Sequence, residues 1–427
     1  MQGRLIRILW VGLTTLAALV ASTQSHAIPA WARQTDKACT TCHFQHYPAL
    51  NDYGQEFKAA GYTAMGKQQV LKGKDFSLPA FLNASLFMKI RYQDSSGTDH
   101  PDEPTVASGE WQFPDEFALL FGGRVTENVG FMLEGQLANG AAPFLAGFKM
   151  PFVFKVGKEA KWGVVPYTTD ALGASYGFEL LNTGAVRNVR MMEHRNESSA
   201  QQYIGTATPA MGVALTAWHP QFFANFSKWS PNHAAVSEEL ASGDPSSNYF
   251  RAAWTPTVGD WSLGLGGQVW SGKSKRDDGS ESGIVETVRT EAMAVDFQAQ
   301  GEVGGMPLGI YVTYAKADGT SADDQHVNIY NSNRNDKKAT AIAVELGIIP
   351  QKATLMFAYR KANTGSTAAN SDDDAVTFGG TYQYAQNVQL QLLFSKRDKG
   401  GAANVGRYPG SQMGGENLVT FMLSAGY

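Results

Sequence analysis

Apolar and polar residues alternate along much of the chain. From Val376 to Tyr384 every second residue is apolar or glycine, and the residues between them are threonine, glutamine or glycine. A period of two places the two classes on opposite faces of a β-strand. The same alternation is carried by the following apolar residues: Phe117, Leu119, Phe121, Phe131, Leu133, Leu308, Ile310, Val312, Tyr314, Ile342, Val344, Leu346, Leu355, Phe357, Val388, Leu390, Leu392, Phe394, Val419, Phe421 and Leu423. The pattern predicts many antiparallel strands, each with one apolar face.

The predicted connections between these strands alternate in length. Short turns are predicted at Glu127-Asn128, Gly304-Gly305, Pro350-Gln351 and 385–387, and long polar connections at 317–338, 363–375 and 398–416. Transmembrane barrels combine short turns at one end, long loops at the other and an apolar outer face. We therefore predict an all-β transmembrane barrel, porin-like, of about 16 antiparallel strands. A large soluble sandwich is the alternative.

The strand assignment is ambiguous between Phe144 and Ser271, because the turns there lack clear signals. Candidate strands in this region lie near Leu145, Leu172, Val186, Tyr203, Val213, Tyr249 and Ser262. The last strand of the chain is clearer, since its alternation continues to Tyr427.

The first residues predict export. Arg4 and Arg7 precede an apolar run over 8–20, and 25–27 supplies the small residues that a signal peptidase reads. We predict a signal peptide over residues 1–27. A membrane anchor is the alternative, but the run is shorter than the ~20 residues of a spanning helix. Export and a barrel together predict the outer membrane of a Gram-negative bacterium, with its lipid as a partner.

Composition excludes several other classes. The 427 residues are 43% hydrophobic and 17% charged, which is too apolar for a disordered chain. Two cysteines cannot form a disulfide framework. A net charge of −4 does not indicate a nucleic-acid partner.

Both cysteines lie in one motif, Cys39-Thr40-Thr41-Cys42-His43. Two thiols at this spacing can form thioethers with one haem, and the imidazole that follows can ligate its iron. We predict one covalent haem c, attached through Cys39 and Cys42, with His43 as the proximal ligand of the iron. A redox-active dithiol is the alternative, but the βαβ context expected of such a pair is missing.

The distal ligand of that haem stays open at this stage. His46 lies only three residues from His43, which is too near for the two imidazoles to bind one iron from opposite sides. It is therefore interpreted as a group that supports the iron ligands or faces solvent. Met65 is the candidate within the haem segment, since a thioether would raise the potential. Other candidates are three methionines with lumen-facing parity, namely Met132, Met356 and Met422. A histidine, a water molecule or a vacant position are the remaining alternatives.

The haem segment is predicted over residues 28–77 and the barrel over 78–427. Apolar residues at helical spacing and Gly61 at a capping position predict a helix over about 49–60. So small a segment cannot bury both faces of a haem by itself. We therefore expect it to plug the barrel lumen or its periplasmic mouth, with the barrel interior as the second wall.

The run from Cys39 to Asn51, continued by Gly54, Phe57-Lys58 and Gly61-Tyr62, resembles the N-terminus of fused monohaem cytochrome-porins. These proteins are the outer-membrane iron oxidases of iron-oxidising bacteria. The resemblance covers about 40 residues closely and the rest only in architecture. It implies that extracellular Fe(II) is oxidised and that the electron passes through the haem to a periplasmic c-type cytochrome.

Clusters of acidic residues are candidates for attracting Fe(II), because hard oxygen ligands suit this ion. They comprise Asp99, Asp102, Glu103, Asp323, Asp324, Asp372, Asp373 and Asp374. Two functions compete with an iron oxidase. One is a haem-plugged transport porin with a redox-gated or passive channel, and the other is a soluble periplasmic haem sensor.

Overall fold

A computed structural model describes residues 29–74, 77–95, 109–137, 144–184, 186, 192–233, 244–277, 285–322, 324–367, 371–397 and 417–427. The predicted signal peptide, 1–27, and the predicted connection 398–416 lie outside the described residues.

The strands form one closed antiparallel barrel, in which the last strand pairs with the first. Its segments are β3 (Ala84–Ser95), β4 (Glu110–Arg124), β5 (Gly130–Gln136), β6 (Leu145–Lys149), β7 (Phe152–Val156), β8 (Ala160–Thr169), β9 (Ala210–His219), β10 (Phe222–Ser230), β11 (Ser247–Trp254), β12 (Thr257–Val258), β13 (Trp261–Ser271), β16 (Ala292–Val303), β17 (Met306–Ala317), β18 (Lys337–Ile349), β19 (Ala353–Asn363), β20 (Ala375–Ala385), β21 (Val388–Arg397) and β22 (Asn417–Gly426). Outside the barrel, β1 (Val70–Lys72) pairs with β2 (Ser77–Pro79), and β14 (Lys273–Asp277) pairs with β15 (Val285–Arg289). The barrel therefore begins at Ala84, after the small β1–β2 sheet that contains Leu78.

Two pairs of barrel segments are single strands with a break. Segments β6 and β7 both pair with β8, and β11 and β12 both pair with β13. A proline lies in each break, at Pro151 and Pro256, and proline cannot donate a ladder hydrogen bond. Counted in this way, the described residues form 16 barrel strands, which confirms the predicted number.

The apolar face of each strand points outward. Leu355 and Phe357 are 55% and 48% exposed, whereas Thr354 and Met356 beside them are buried. On β20 the inward residues are Thr377 and other polar side chains. The outer surface of the barrel is therefore apolar and its interior is largely polar, as the alternation predicted.

The short turns also lie where the sequence predicted them. Arg124 and Gly130, Val303 and Met306, Ile349 and Ala353, and Ala385 and Val388 each bound a tight turn between paired strands. These turns all lie at one end of the barrel, which we call the short-turn end. The long connections 317–338 and 363–375 leave the opposite end.

The connection between β8 and β9 is the region where the structure differs most from the strands predicted from the sequence. Strands were expected near Leu172, Val186 and Tyr203, but the described residues of 170–209 form no barrel strand and pack inside the barrel. This inserted segment (170–209) contains a 3-10 turn at Ala174–Gly177 and two short helices, Arg195–Ser198 and Ala200–Ile204. Its polar groups bond to lumen-facing side chains, which explains why its residues lack strand alternation.

The N-terminal segment (29–74) contains helix α1 (Pro29–Thr35), a 3-10 turn at Cys39–Thr41 and helix α2 (Asp52–Ala59). Helix α2 begins three residues later than predicted, because the side chain of Asn51 caps it and accepts a hydrogen bond from Gly54 N at 3.0 Å. At its other end Gly61 adopts φ +69°, and Tyr62 N donates to Phe57 O at 3.1 Å. This is the C-terminal capping arrangement that the position of Gly61 predicted.

Within the described residues, no helix has both the length and the apolar character needed to cross a lipid bilayer.

The N-terminal segment lies across the short-turn end of the barrel. Its contacts with the barrel lie at several points of the wall: Ala30 N donates to Ser85 Oγ at 2.7 Å, Cys39 N to Gln386 Oε1 at 3.2 Å and Gln45 Nε2 to Pro307 O at 3.3 Å. It also contacts the inserted segment, since Leu50 N donates to Asn182 Oδ1 at 2.9 Å. Ser262 at the start of β13 donates to Asp52. The segment and the barrel therefore share one packed interior at this end.

Candidate functional site

The CxxCH motif folds into a tight loop. Cys42 N and His43 N both donate to Cys39 O at 3.0 Å. The loop is joined to the start of α2, since Asn51 N donates to Cys42 O at 3.0 Å. Helix and loop approach most closely at Gly54, where a Cβ atom would lie 2.2 Å from Cys42 O. The short spacing in the sequence thus becomes a compact unit of loop and helix.

His43 is oriented by its own backbone. Its Nδ1 lies 3.1 Å from Ala49 O, and because a carbonyl only accepts, Nδ1 donates and carries the proton. Burial lowers the pKa of His43 to about 4, against the opposing effect of this hydrogen bond. The imidazole is therefore neutral, and its Nε2 is the nitrogen left to ligate a metal.

Cys39 and Cys42 are not joined in a disulfide in this fold. Burial raises the pKa of Cys39 to about 12 and that of Cys42 to about 11. Thiol–disulfide chemistry requires thiolates, and reactive pairs have lowered pKa values. These values disfavour the alternative of a redox-active dithiol.

A cavity of about 830 Å³, measured with its opening, lies beside Cys42 and His43. The N-terminal segment contributes Trp31, Ala32, Thr35, Lys37, Ala38, Cys42, His43, Tyr47, Pro48, Leu50, Gly54, Phe57, Lys58 and Tyr62. The barrel contributes Met132 and Lys149, and the inserted segment contributes Tyr176 and Val186. The barrel interior supplies the opposite wall.

The cavity's chemistry fits a haem. One side presents a thiol and a neutral imidazole, and the walls are rich in apolar and aromatic side chains such as Leu50 and Phe57. Two buried donors in the cavity lining, Trp31 Nε1 and the Tyr176 hydroxyl, have no hydrogen-bond partner within the described residues. Cys39 does not line the cavity; it is buried beside it, in the same loop as Cys42.

Of the four methionines predicted as candidate distal ligands, one lines the cavity. Met132 lines the cavity together with His43 and packs on Phe57 and Tyr62. Met65 is half-buried and does not line the cavity. Met356 and Met422 are buried inside the barrel, as their parity predicted, but they do not line it either.

His46 points into the barrel wall. Its Nε2 lies 2.6 Å from Glu345 Oε2 on β18, and both side chains are fully buried. Tyr311 donates to the other oxygen of Glu345 at 2.6 Å. The solvent-facing interpretation of His46 is therefore wrong. Burial alone would lower the pKa of His46, but its attraction and hydrogen bond to Glu345 raise that pKa above the usual value.

The acidic clusters are mostly engaged in structural contacts. Asp373 is buried and lies 2.8 Å from Arg360, and buried Asp374 accepts a hydrogen bond from Ala362 N at 3.1 Å. Asp324 lies 3.3 Å from Arg289. The residues Asp99, Asp102, Glu103 and Asp323 lie outside the described residues. In the part of the chain that is described, no three His, Cys, Asp or Glu residues are placed to hold a metal ion.

Sequence reasoning missed the lumen contacts of the inserted segment. Arg251 on β11 lies 3.0 Å from Glu179 and 2.5 Å from Asp296 of β16, with all three side chains fully buried. His194 bonds to Ser395 and Thr420 at 2.5 and 2.8 Å. Only the loss of strand alternation after Thr169 could have marked this segment as different.

The chain is similar to several solved outer-membrane proteins at low sequence identity. No protein-family profile and no curated protein sequence matches this chain. Among solved structures, the outer membrane channel DcaP of Acinetobacter baumannii is 12% identical, with a TM-score of 0.47, and the match covers 84% of this chain and 99% of that one. OmpT of Vibrio cholerae is 12% identical, with a TM-score of 0.43 and the same coverage. A BenF-like porin from Pseudomonas fluorescens is 13% identical, with a TM-score of 0.38 over 81% of this chain and 98% of that one.

Proposed function

We propose that this protein is an outer-membrane electron-transfer protein, an iron oxidase with one covalent haem c at the periplasmic mouth of its barrel. It oxidises extracellular Fe(II) and passes the electron to a periplasmic c-type cytochrome. The observation that carries the proposal is the cavity at the short-turn end, where the CxxCH loop places Cys42 and His43 against a wall made by the barrel.

The apolar outer surface supports the membrane location. Large apolar side chains such as Leu392 and Phe378 are more than half exposed on the barrel exterior, where lipid would cover them. A soluble sandwich or a soluble haem sensor would leave this surface in water. In bacterial outer-membrane barrels the short turns face the periplasm, so the N-terminal segment would lie on the periplasmic side.

The residues of the cavity have distinct roles in the proposal. The thiols of Cys39 and Cys42 would hold the haem through thioethers to its two vinyl groups. The neutral His43 donates from Nδ1 to Ala49 O and offers Nε2 to the iron. When bound, the haem supplies one-electron redox chemistry, and the protein supplies ligation, position and a low dielectric.

The packed lumen supports transfer of electrons rather than passage of ions. Described residues of the inserted segment pack inside the barrel. Tyr176 belongs both to the cavity lining and to this packed interior. Because one haem cannot relay an electron across the ~30 Å of a bilayer, Fe(II) would approach the haem from the outer side of the barrel and leave the poorly soluble Fe(III) product there.

Proteoliposomes test this proposal. The purified protein is reconstituted with oxidised cytochrome c inside the vesicles, and Fe(II) is added outside in the presence of a membrane-impermeant chelator within. We expect the haem spectrum to shift to the reduced form within seconds and the internal cytochrome to follow. His43→Ala should abolish the response. Haem that stays oxidised after Fe(II) is added would contradict the iron-oxidase function.

A haem-plugged transport porin is the second candidate, since the closed barrel itself suits a channel. Planar-bilayer recordings distinguish the two functions. A porin whose haem gates it should pass solutes and change its conductance when the haem is reduced. An electron-transfer protein should conduct little in either redox state.

A further inference from the structure

Three lysines line the cavity beside Cys42 and His43. Lys37 is exposed, whereas Lys58 of α2 is half-buried and Lys149 of β6 is only 3% exposed. Lys58 and Lys149 form no ion pair with any other residue that the structure describes. Two ammonium groups inside one cavity are unfavourable unless an anion lies near them.

The groups around the two lysines do not neutralise them. Lys149 Nζ donates to Tyr176 O at 3.0 Å and lies 4.4 Å from the centre of the Tyr176 ring. Neither the carbonyl nor the ring carries a negative charge. Glu179 is the carboxylate whose charge reaches Lys58. It is already bound by Arg251, whose Nε lies 3.0 Å from Glu179 Oε2. Neither lysine therefore has a carboxylate of its own among the described residues.

Two neutral donors in the same lining also lack an acceptor. Trp31 Nε1 and the Tyr176 hydroxyl are buried and have no hydrogen-bond partner among the described residues. Tyr176 is only 1% exposed, and its side chain lines the cavity. Buried donors without acceptors are rare in folded proteins and indicate a missing partner. These two neutral donors and the amino groups in the same lining together favour an anionic partner.

We propose that Lys58 and Lys149 bind the two propionate carboxylates of the haem, with Trp31 and Tyr176 as additional donors. The inference rests on the proposed function, because it takes a haem as the occupant of the cavity. The propionates are the only charged groups on the edge of an otherwise apolar macrocycle. The lysines would therefore determine how the haem is rotated in the cavity and would lie near its iron.

The protonation of Lys58 is consistent with this assignment. Burial lowers the pKa of Lys58 to about 8, although Glu179 acts in the opposite direction. A carboxylate in contact with an ammonium group favours its charged form. Fixed positive charge near the haem also favours the reduced state of the iron, so both lysines should raise the midpoint potential.

The test compares Lys58→Met and Lys149→Met with Lys155→Met, which removes an exposed lysine of β7. Each protein is first weighed to show that one haem is covalently bound. Resonance Raman spectra then report the propionate bending modes, and a redox titration gives the midpoint potential. We expect the modes to shift and the potential to fall in the first two variants, and neither to change in Lys155→Met. Lys58→Arg should restore the potential, since it keeps the charge.

The outcomes separate the inference from the function on which it rests. A native protein with no covalent haem overturns both. A native protein with haem, in which the Raman modes of Lys58→Met and Lys149→Met are unchanged, overturns only the lysine assignment. A fall in potential without any change in those modes also overturns it, because the charges would then act from a distance.

Discussion

Gly54 shows how a single residue lets the CxxCH loop pack against helix α2. A Cβ atom at this position would lie 2.2 Å from Cys42 O and 3.0 Å from Cys42 C, both of them backbone atoms that cannot move independently. The helix itself would favour alanine over glycine by about 1 kcal/mol. The close contact, and not helix propensity, explains the glycine.

Gly54→Ala should therefore destabilise the N-terminal segment by about 1–3 kcal/mol, the usual cost of overpacking. We expect a lower thermal midpoint and a reduced fraction of chains with covalent haem, measured by mass and absorbance. Gly267→Ala is the control, because the only atom near its added Cβ would be Ala294 O at 4.0 Å. Full haem incorporation in Gly54→Ala would show that the contact is unimportant.

Met132 is the thioether that shares the cavity with His43, and Met65 is not part of the lining. Met132→Leu conserves volume and should cost less than about 1.5 kcal/mol in stability. If Met132 ligates the iron, this variant should lose the long-wavelength charge-transfer band of thioether-ligated ferric haem and have a lower midpoint potential. Met65→Leu should match the native protein in both measurements. The opposite pattern would assign the ligand to Met65.

At the scale of elements, the connection between the CxxCH loop and strand β18 is a buried ion pair. His46 and Glu345 lie 2.6 Å apart with no exposed side-chain surface. Removing one partner of such a pair leaves an unpaired buried group and typically costs ~3–5 kcal/mol, whereas replacing both by apolar residues is often close to neutral.

His46→Leu should therefore loosen the N-terminal segment, and the double variant His46→Leu/Glu345→Leu should restore much of the loss. Amide hydrogen exchange over residues 39–50 measures the opening of this segment. Asp36→Asn is the control. It breaks a pair with Lys67 whose side chains are 50% and 91% exposed, and such a pair contributes only ~0–1 kcal/mol. Equal protection in native and His46→Leu proteins would contradict the role of the pair.

The same pair predicts a pH dependence. Glu345 raises the pKa of His46 above its usual value of about 6.5. A group whose pKa is raised on folding stabilises the fold fully below its unfolded pKa, and this contribution is lost as pH rises through the folded pKa. Protection of residues 39–50, corrected for intrinsic exchange, should fall as the pH rises above about 6.5 and passes through the raised pKa of His46. This part of the pH dependence should disappear in Glu345→Gln.

At the scale of the whole molecule, buried charges join the inserted segment to the barrel wall. Arg251 bonds to Glu179 of this segment and to Asp296 of the wall, and all three side chains are fully buried. The segment and the wall are thus joined by charges that would be unpaired if the segment left the lumen.

Arg251→Met should leave both carboxylates without their partner and loosen the inserted segment. We expect low single-channel conductance for the native protein in planar bilayers and a clear increase for Arg251→Met. Arg276→Met is the control, because its pair with Glu286 is about 40% exposed and lies on the β14–β15 hairpin. A native conductance equal to that of an open porin would show that the lumen is not closed.

Three features were predictable because each depends on residues that are close in the sequence. They are the strand count, the direction of the apolar faces and the short turns. Alternation of Leu355 with Met356 already specifies which side chain points outward once the strand is extended. Gly61 likewise marked the end of α2, because a left-handed residue is needed there. The inserted segment could not be predicted, since its position depends on distant partners such as Gln298 for Asn182 and Gln391 for Glu193.

The sequence by itself determined the chemistry of the motif, because the spacing of Cys39, Cys42 and His43 and the carbonyl of Ala49 all lie within one short loop. Only the tertiary structure decided what faces that loop. Met132, Lys149 and Tyr176 are about 90 to 140 residues away along the chain and reach the cavity because the barrel closes. Local geometry follows from neighbouring residues, whereas the second wall of a cavity depends on where a closed sheet brings distant strands together.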